Sequence, residues 1–241
     1  MTHQPIILFD FDGVIITQKA LEYTASIFLK KSFYNWKNIE NLRLIDLARM
    51  FEEADSKNRI KALLRVNKVY KKYIPSLWKR CLFFIKFRKT YPKYEIYDTL
   101  RPNLEFVLTK FQEGDFILGI VSNTSRSRLN YFTEKFDLTK YFSVFISRDD
   151  TPFRKPDAYP IYAALKRIKK NLNISIDKTN VYYVGDLPPD IECAKNAEIK
   201  SIAILSGHGS RKSLENSNPT FIIKDMKDIL EIQPFKKFLL D

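Results

Sequence analysis

The sequence predicts an α/β protein: a parallel sheet covered by helices on both faces, with an all-helical segment inserted after the first strand. Three observations lead there. From Phe116 onward, short apolar β-rich runs alternate with helix-length runs. The stretch from about Leu21 to Arg88 has no glycine, one proline (Pro75) and apolar residues at helical spacing. Gly13, Gly185, Gly207 and Gly209, four of the six glycines, all fall just past predicted strands, where open parallel sheets keep their sites.

Taken in order, Pro5 to Phe9 is a buried strand that ends at Asp10. The glycine-free stretch follows as several helices, with Ile60, Leu63 and Leu64 on an apolar face that turns polar at Asn67 and Lys68. Pro92 to Thr99 reads as a return linker. Phe116–Val121 is a strand and Arg126–Phe136 a helix. Val144–Ser147 is a short strand, and Pro156–Lys170 a helix opened by its proline. Val181–Val184 is a strand, Pro189–Asn196 a helix, and Ser201–Leu205 and Thr220–Ile223 are strands. The predicted organisation is a core of residues 1–16 and 98–241 with an inserted domain at 17–97.

Composition narrows the function classes. The chain has 241 residues, 45% of them hydrophobic, which suits one large domain or a medium domain with an insert. Cys81 and Cys193 are the only cysteines and make neither a disulfide framework nor a metal-ligand spacing, which fits a reducing, cytoplasmic setting. Cys81–Phe87, the most apolar short stretch, is too short for a bilayer, so no membrane partner is expected, and no leader sequence precedes the first strand. The net charge of +13 is concentrated in one place: Thr17–Tyr97 holds 19 Lys and Arg against 7 Asp and Glu, the remainder 22 against 21. That segment attracts anions. Its 15 aromatics, among them Trp36, Trp78, Phe83 and Phe84, fit helix cores; interleaved with the basic residues they also leave nucleic acid as a possible partner.

Four constellations carry chemistry. Asp10-Phe11-Asp12-Gly13 places a carboxylate directly after a buried strand, where it can act as a nucleophile with a second carboxylate close by, or is a chance Asp-x-Asp pair. Ser122-Asn123, past Val121, can meet phosphate oxygens at a helix N-terminus, or can be an ordinary cap. Lys155-Pro156-Asp157 offers a lysine that offsets the charge of a carboxylate and a phosphoryl group, or is one surface lysine among many. Gly185-Asp186-Leu187-Pro188-Pro189-Asp190 offers hard oxygen ligands for Mg²⁺, or is a capped turn.

In this order the four motifs resemble those of the haloacid dehalogenase (HAD) superfamily. Ser147–Asp157 and Ser206–Arg211 are similar to the corresponding stretches of phosphoglycolate-phosphatase-like members. The resemblance covers the chain outside the insert, whose position is that of a helical C1-type cap. It implies a Rossmann-like core and a Mg²⁺-dependent phosphatase acting on a small phosphate monoester through an aspartyl-phosphate. Asp10 would be the nucleophile and Asp12 the general acid and base. Ser122, Asn123 and Lys155 would bind the phosphoryl group. Asp10, the carbonyl of Asp12, and Asp186 would hold Mg²⁺. Asp190 would stand behind them, positioning water or pairing with Lys155. A nucleotide or nucleic-acid-end phosphatase, a sugar-phosphate mutase and a non-catalytic polyanion-binding protein are the alternatives. Asp12 speaks for phosphatase or mutase over dehalogenase, because an alkoxide leaving group needs a proton. The absence of histidine from 17–97 speaks against the mutase. His208 reads either as a substrate contact or as a packing residue of its loop, where related sequences often carry an aromatic.

Overall fold

A computed structural model describes residues 4–21, 23, 24, 71 and 76–239. The chain divides into two compact units, Met1–Thr17 with Leu100–Asp241, and Gln18–Thr99.

The larger unit is built on six parallel strands in the order β5-β4-β1-β6-β7-β8. They are β1 (Ile6–Phe9), β4 (Ile117–Val121), β5 (Val144–Ile146), β6 (Val181–Gly185), β7 (Lys200–Ile204) and β8 (Phe221–Ile223). β1 is central: Ile6 pairs with Ile117 on one side and Val181 on the other, and Phe9 with Ile120 and Val184. The registers bring Asp10, Ser122 and Asp186 to one end of the sheet, past the carboxyl ends of their strands. Two short strands, β2 (Ile16–Thr17) and β3 (Thr99–Leu100), form a separate sheet.

Strand residues alternate between two buried layers, as the period of two demands. Ile7, Phe9, Leu118, Ile120, Tyr182 and Val184 face a core with α2 (Leu104–Glu113) and α3 (Arg126–Lys135), closed by Phe235 of α7 (Gln233–Leu239). Ile6, Leu8, Val121, Val181 and Tyr183 face α4 (Tyr159–Leu172) and α5 (Pro188–Asn196). Each fully buried Leu, Ile or Phe stabilises by about 1.5–3 kcal/mol relative to its exposed state. Both faces being covered explains why the strands read as continuous apolar runs. The remaining helix of this unit, α6 (Arg211–Glu215), is capped by Ser210, whose hydroxyl accepts from Ser213 N at 3.2 Å.

The parallel sheet is as the sequence predicts, with edges shifted by a residue or two. α4 begins at Tyr159 instead of Pro156; the Asp157 carboxylate accepts from Tyr159 N at 2.7 Å in the turn before the helix, whose N-cap is Ala158. The Lys155–Pro156 bond is cis. α2 is additional: Leu104, Val107, Leu108 and Phe111 line its buried face at helical spacing.

In the smaller unit, α1 (Leu77–Thr90) starts at Ser76, whose hydroxyl accepts from Lys79 N at 3.5 Å, and buries Phe83 and Phe87 with ring centroids 5.4 Å apart. It runs into a 3₁₀ segment, Tyr91–Tyr97, in place of the expected linker. Pro92 sits in the first turn, where its missing N–H has no helical partner to lose. Asp98 then accepts from Ala20 N at 2.8 Å. The helices expected across most of 21–75, with Ile60, Leu63, Leu64 and Trp36, lie outside the described residues. Among the described residues no helix is long and apolar enough to cross a membrane.

Candidate active site

Asp10 leaves β1 while still tied to the sheet, its N–H donating to Val184 O at 2.8 Å. Its side chain is 2% exposed. From the opposite wall comes Lys155, whose Nζ lies 2.6 Å from Asp10 Oδ1 and 2.6 Å from Asp190 Oδ1. The contact with Asp190 is a hydrogen bond; that with Asp10 is an ion pair without hydrogen-bond alignment, so Asp10 Oδ1 is buried and lacks a hydrogen-bond donor.

Lys155 is held by its own backbone. Lys155 N donates to Asn123 Oδ1 at 3.1 Å, and Asn123 Nδ2 donates to Lys155 O at 3.5 Å. The amide of Asn123, expected to meet phosphate, thus joins two strand-end loops. Ser122 lies beside it, 4% exposed, its N–H donating to Ile146 O at 2.9 Å and its hydroxyl accepting from Thr124 N at 3.1 Å.

Asp190 is saturated. Oδ2 accepts from Asp186 N at 3.1 Å and Leu187 N at 2.9 Å, capping α5, while Oδ1 takes Lys155. Asp186 is fully buried and split in its duties. Oδ2 accepts from His208 N at 2.7 Å and lies 2.8 Å from His208 Nδ1; Oδ1 is buried without a hydrogen-bond partner. Carboxylate oxygens of Asp10, Asp186 and Asp190 lie within 4.8 Å of one another. Three carboxylates against one lysine leave an excess of negative charge. Asp186 Oδ1 is buried with no hydrogen-bond donor, and Asp10 Oδ1 faces only the shared Lys155 ammonium. Hard oxygens with that charge are what Mg²⁺ takes. The residues therefore fit the ion the sequence implies, with Asp10 and Asp186 offering ligands and Asp190 already committed.

Burial dominates the acidities. It holds the Asp10 carboxyl well above its usual value; the Lys155 ammonium pulls down, while Asp190 and Asp186 push further up. Asp190 is raised by burial too, against the opposing pull of Lys155. Tyr183 is pushed far above the usual phenol value by burial, and its hydroxyl donates to Val121 O at 2.7 Å. Burial raises Cys193 to about 12, which excludes it as a nucleophile.

Asp12 sits differently from Asp10. Its side chain is 20% exposed, and Oδ1 accepts from Arg128 Nη2 at 2.9 Å. The turn just after Asp12 runs through Gly13, with φ +84° and its N–H donating to Ile16 O at 2.9 Å.

Three residues had no role, or another role, in the sequence reading. Arg128 lies on α3, and its guanidinium carbon is 4.7 Å from the Phe132 ring centroid. Arg101 is only 9% exposed and bonds to the carbonyls of Gly13, Val14 (3.1 Å) and Ser206 (2.9 Å), and to Ser206 Oγ (3.0 Å). Burial lowers its pKa, and Asp186 is the largest opposing influence. Neither arginine stands in a motif, so no local signal marks it. His208 contacts Asp186 directly, a use its glycine-flanked loop does not announce.

Residues 7–204 match the family described as haloacid dehalogenase-like hydrolase. A pyrophosphatase PpaX from Oceanobacillus iheyensis is 24% identical over 232 residues, 94% of this chain and 95% of that protein. The phosphoglycolate phosphatase of Escherichia coli K12 is 29% identical over 131 residues, 54% of this chain and 50% of its own. A PpaX-named relative from Caldanaerobacter subterraneus is likewise matched over only 65% of its length. Among solved structures, a predicted phosphoglycolate phosphatase from Haemophilus somnus 129PT superposes with TM-score 0.67 at 21% identity, covering 96% of this chain and 99% of that one. A hydrolase from Pseudomonas syringae does so with TM-score 0.67 at 18% identity, covering 96% and 98%. At these identities the solved structures bear on the fold alone.

Proposed function

Because the chain belongs to the haloacid dehalogenase-like hydrolases, we propose that it is a Mg²⁺-dependent phosphatase that releases phosphate from a small phosphorylated substrate through an aspartyl-phosphate on Asp10. One observation carries the reading: Asp10, Lys155, Asp186 and Asp190 converge in one buried cluster at the carboxyl end of the sheet.

An Asp10 oxygen attacks phosphorus as the bond to the leaving oxygen breaks. Asp12 gives that oxygen its proton, then takes one from the water that cleaves the acyl-phosphate and regenerates Asp10. The two carboxyls sit in unequal surroundings, Asp10 buried beside an ammonium and Asp12 partly exposed on Arg128. Lys155 offsets the negative charge that would keep a phosphate dianion away from Asp10. Ser122 supplies a hydroxyl to a phosphoryl oxygen, and Asn123 keeps the Lys155 loop in place. Asp10, Asp186 and the Asp12 carbonyl would hold Mg²⁺, which supplies charge compensation and orients the phosphoryl group. Residues 17–97 act as the cap, and their basic charge favours anionic substrates. Phosphoglycolate and pyrophosphate, the substrates named for the relatives, are the first to test.

The test is phosphate release from p-nitrophenyl phosphate, phosphoglycolate, pyrophosphate and a nucleoside monophosphate, with and without Mg²⁺, by wild type and Asp10→Asn. Release that needs both metal and Asp10 is expected. A folded, metal-loaded protein inert toward the whole panel would sink the hydrolase reading and favour a polyanion-binding protein.

A further inference from the structure

We infer that His208 is a positioning residue that fixes which oxygen of Asp186 is presented to a divalent cation, and that Arg101 holds the loops that make this possible. The inference rests on the metal-dependent reading above. Two nitrogens of one residue converge on one atom: His208 N is 2.7 Å and Nδ1 2.8 Å from Asp186 Oδ2. Oδ2 accepts from the backbone N–H, and from the ring as well in the tautomer whose proton is on Nδ1. Two donors on Oδ2 set the rotation of the carboxylate and leave Oδ1 buried with no hydrogen bond, in the cluster shared with Asp10 and Asp190. A ligand atom oriented by hydrogen bonds to its other oxygen needs no rearrangement when the ion arrives.

The surroundings leave the carboxylate little room to turn. A Cβ on Gly13 would stand 2.1 Å from Asp186 Oδ2 and 2.4 Å from His208 Nδ1. A Cβ on Gly207 would stand 2.2 Å from the Asp186 Cβ, and one on Gly209 2.1 Å from the Asp186 carbonyl oxygen. The loop after β1 and the loop after β7 therefore close on the Asp186–His208 pair from both sides. Arg101 ties these loops together, bonding to Gly13 and Val14 in the first and to Ser206 in the second. Such a guanidinium satisfies several carbonyls from one rigid plane, which a lysine does not do.

The experiment compares wild type, His208→Phe and His208→Asn using Mn²⁺ alone as the probe. Free Mn²⁺ is followed by electron paramagnetic resonance, and Mg²⁺ displaces it. His208→Phe keeps the backbone donor and the bulk but loses the ring donor; His208→Asn puts an amide N–H back near the Nδ1 position. Expected are a weakening of Mn²⁺ and Mg²⁺ binding by about 10- to 100-fold in His208→Phe, recovery of most of it in His208→Asn, and the same metal-free Tm for all three. If His208→Phe fails to fold, His208→Leu serves the same comparison. Equal affinity in wild type and the apolar variant, or equal loss in the apolar and Asn variants, would overturn the inference while leaving the hydrolase reading intact. A wild type that binds no Mn²⁺ would remove the metal reading itself, and this inference with it.

Discussion

Lys155 lies 2.6 Å from two buried carboxylates and serves both. Its removal would leave them without a cation; breaking a buried pair in this way costs about 3–5 kcal/mol. Asp10 poses the opposite problem. Burial raises its folded-state pKa above the ordinary 3.8, so the folded state prefers the neutral acid. Its favourable contribution is complete below 3.8 and is lost as pH rises through the raised folded value. At neutral pH without metal, the buried Asp10 carboxyl therefore weakens the fold relative to low pH. Asp10→Asn should be inactive yet more stable in metal-free neutral buffer, seen as a higher Tm. That advantage should vanish below about pH 4, where wild-type Asp10 is itself neutral. Thermal unfolding in EDTA across pH measures this, and a variant less stable than wild type at neutral pH would contradict it. The aspartates and Lys155 were legible in the sequence because strand ends and proline mark loops. Arg101, Arg128 and the bond from His208 to Asp186 were not, because long side chains reach across the fold and leave no local pattern.

Helices and strands were legible where hydrophobic periodicity is undivided. β1, β4, β6 and β7 are buried on both faces and read as plain apolar runs. α2 carries its apolar stripe at Leu104, Val107, Leu108 and Phe111, but it follows the insert so closely that the sequence reading passed over it. The start of α4 was misplaced because a proline marks a plausible first turn, whereas the Asp157 carboxylate holds the Tyr159 N–H in a turn ahead of the helix. The turn after β1 depends on Gly13 twice, for its positive φ and for the space Asp186 and His208 occupy. Gly13→Ala must push the turn by about an ångström, a misplacement that costs on the order of 10²-fold in rate. The prediction is a loss of that size in kcat with a retained fold, checked by steady-state kinetics and circular dichroism. Unchanged kcat would show that the turn relaxes without moving Asp10 or Asp12.

Across the molecule, charge is the feature most unevenly shared. The excess of Lys and Arg lies in 17–97, while the larger unit is nearly neutral. If that segment draws anionic substrates, kcat/KM for a multiply charged ester should fall steeply between about 10 and 200 mM salt, as the screening length shrinks to near 10 Å and below. Stopped-time assays at constant pH and Mg²⁺ check this, and a salt-independent kcat/KM would leave the charge a solvating surface only. The position of β1 has a further consequence, for the order in which the protein comes off the ribosome. The strand made first is the one at the centre, and its neighbours are residues 117–121 and 181–185. The nascent chain must therefore carry Ile-Ile-Leu-Phe with both edges unpaired until residues 117–121 are made, and with one edge unpaired until residues 181–185 follow. Asp10 acquires its backbone partner at Val184 only when about three-quarters of these residues exist. Such a delayed centre lengthens the search for native pairing and exposes a sticky strand meanwhile, so premature termination before β6 should yield aggregation rather than a smaller folded protein.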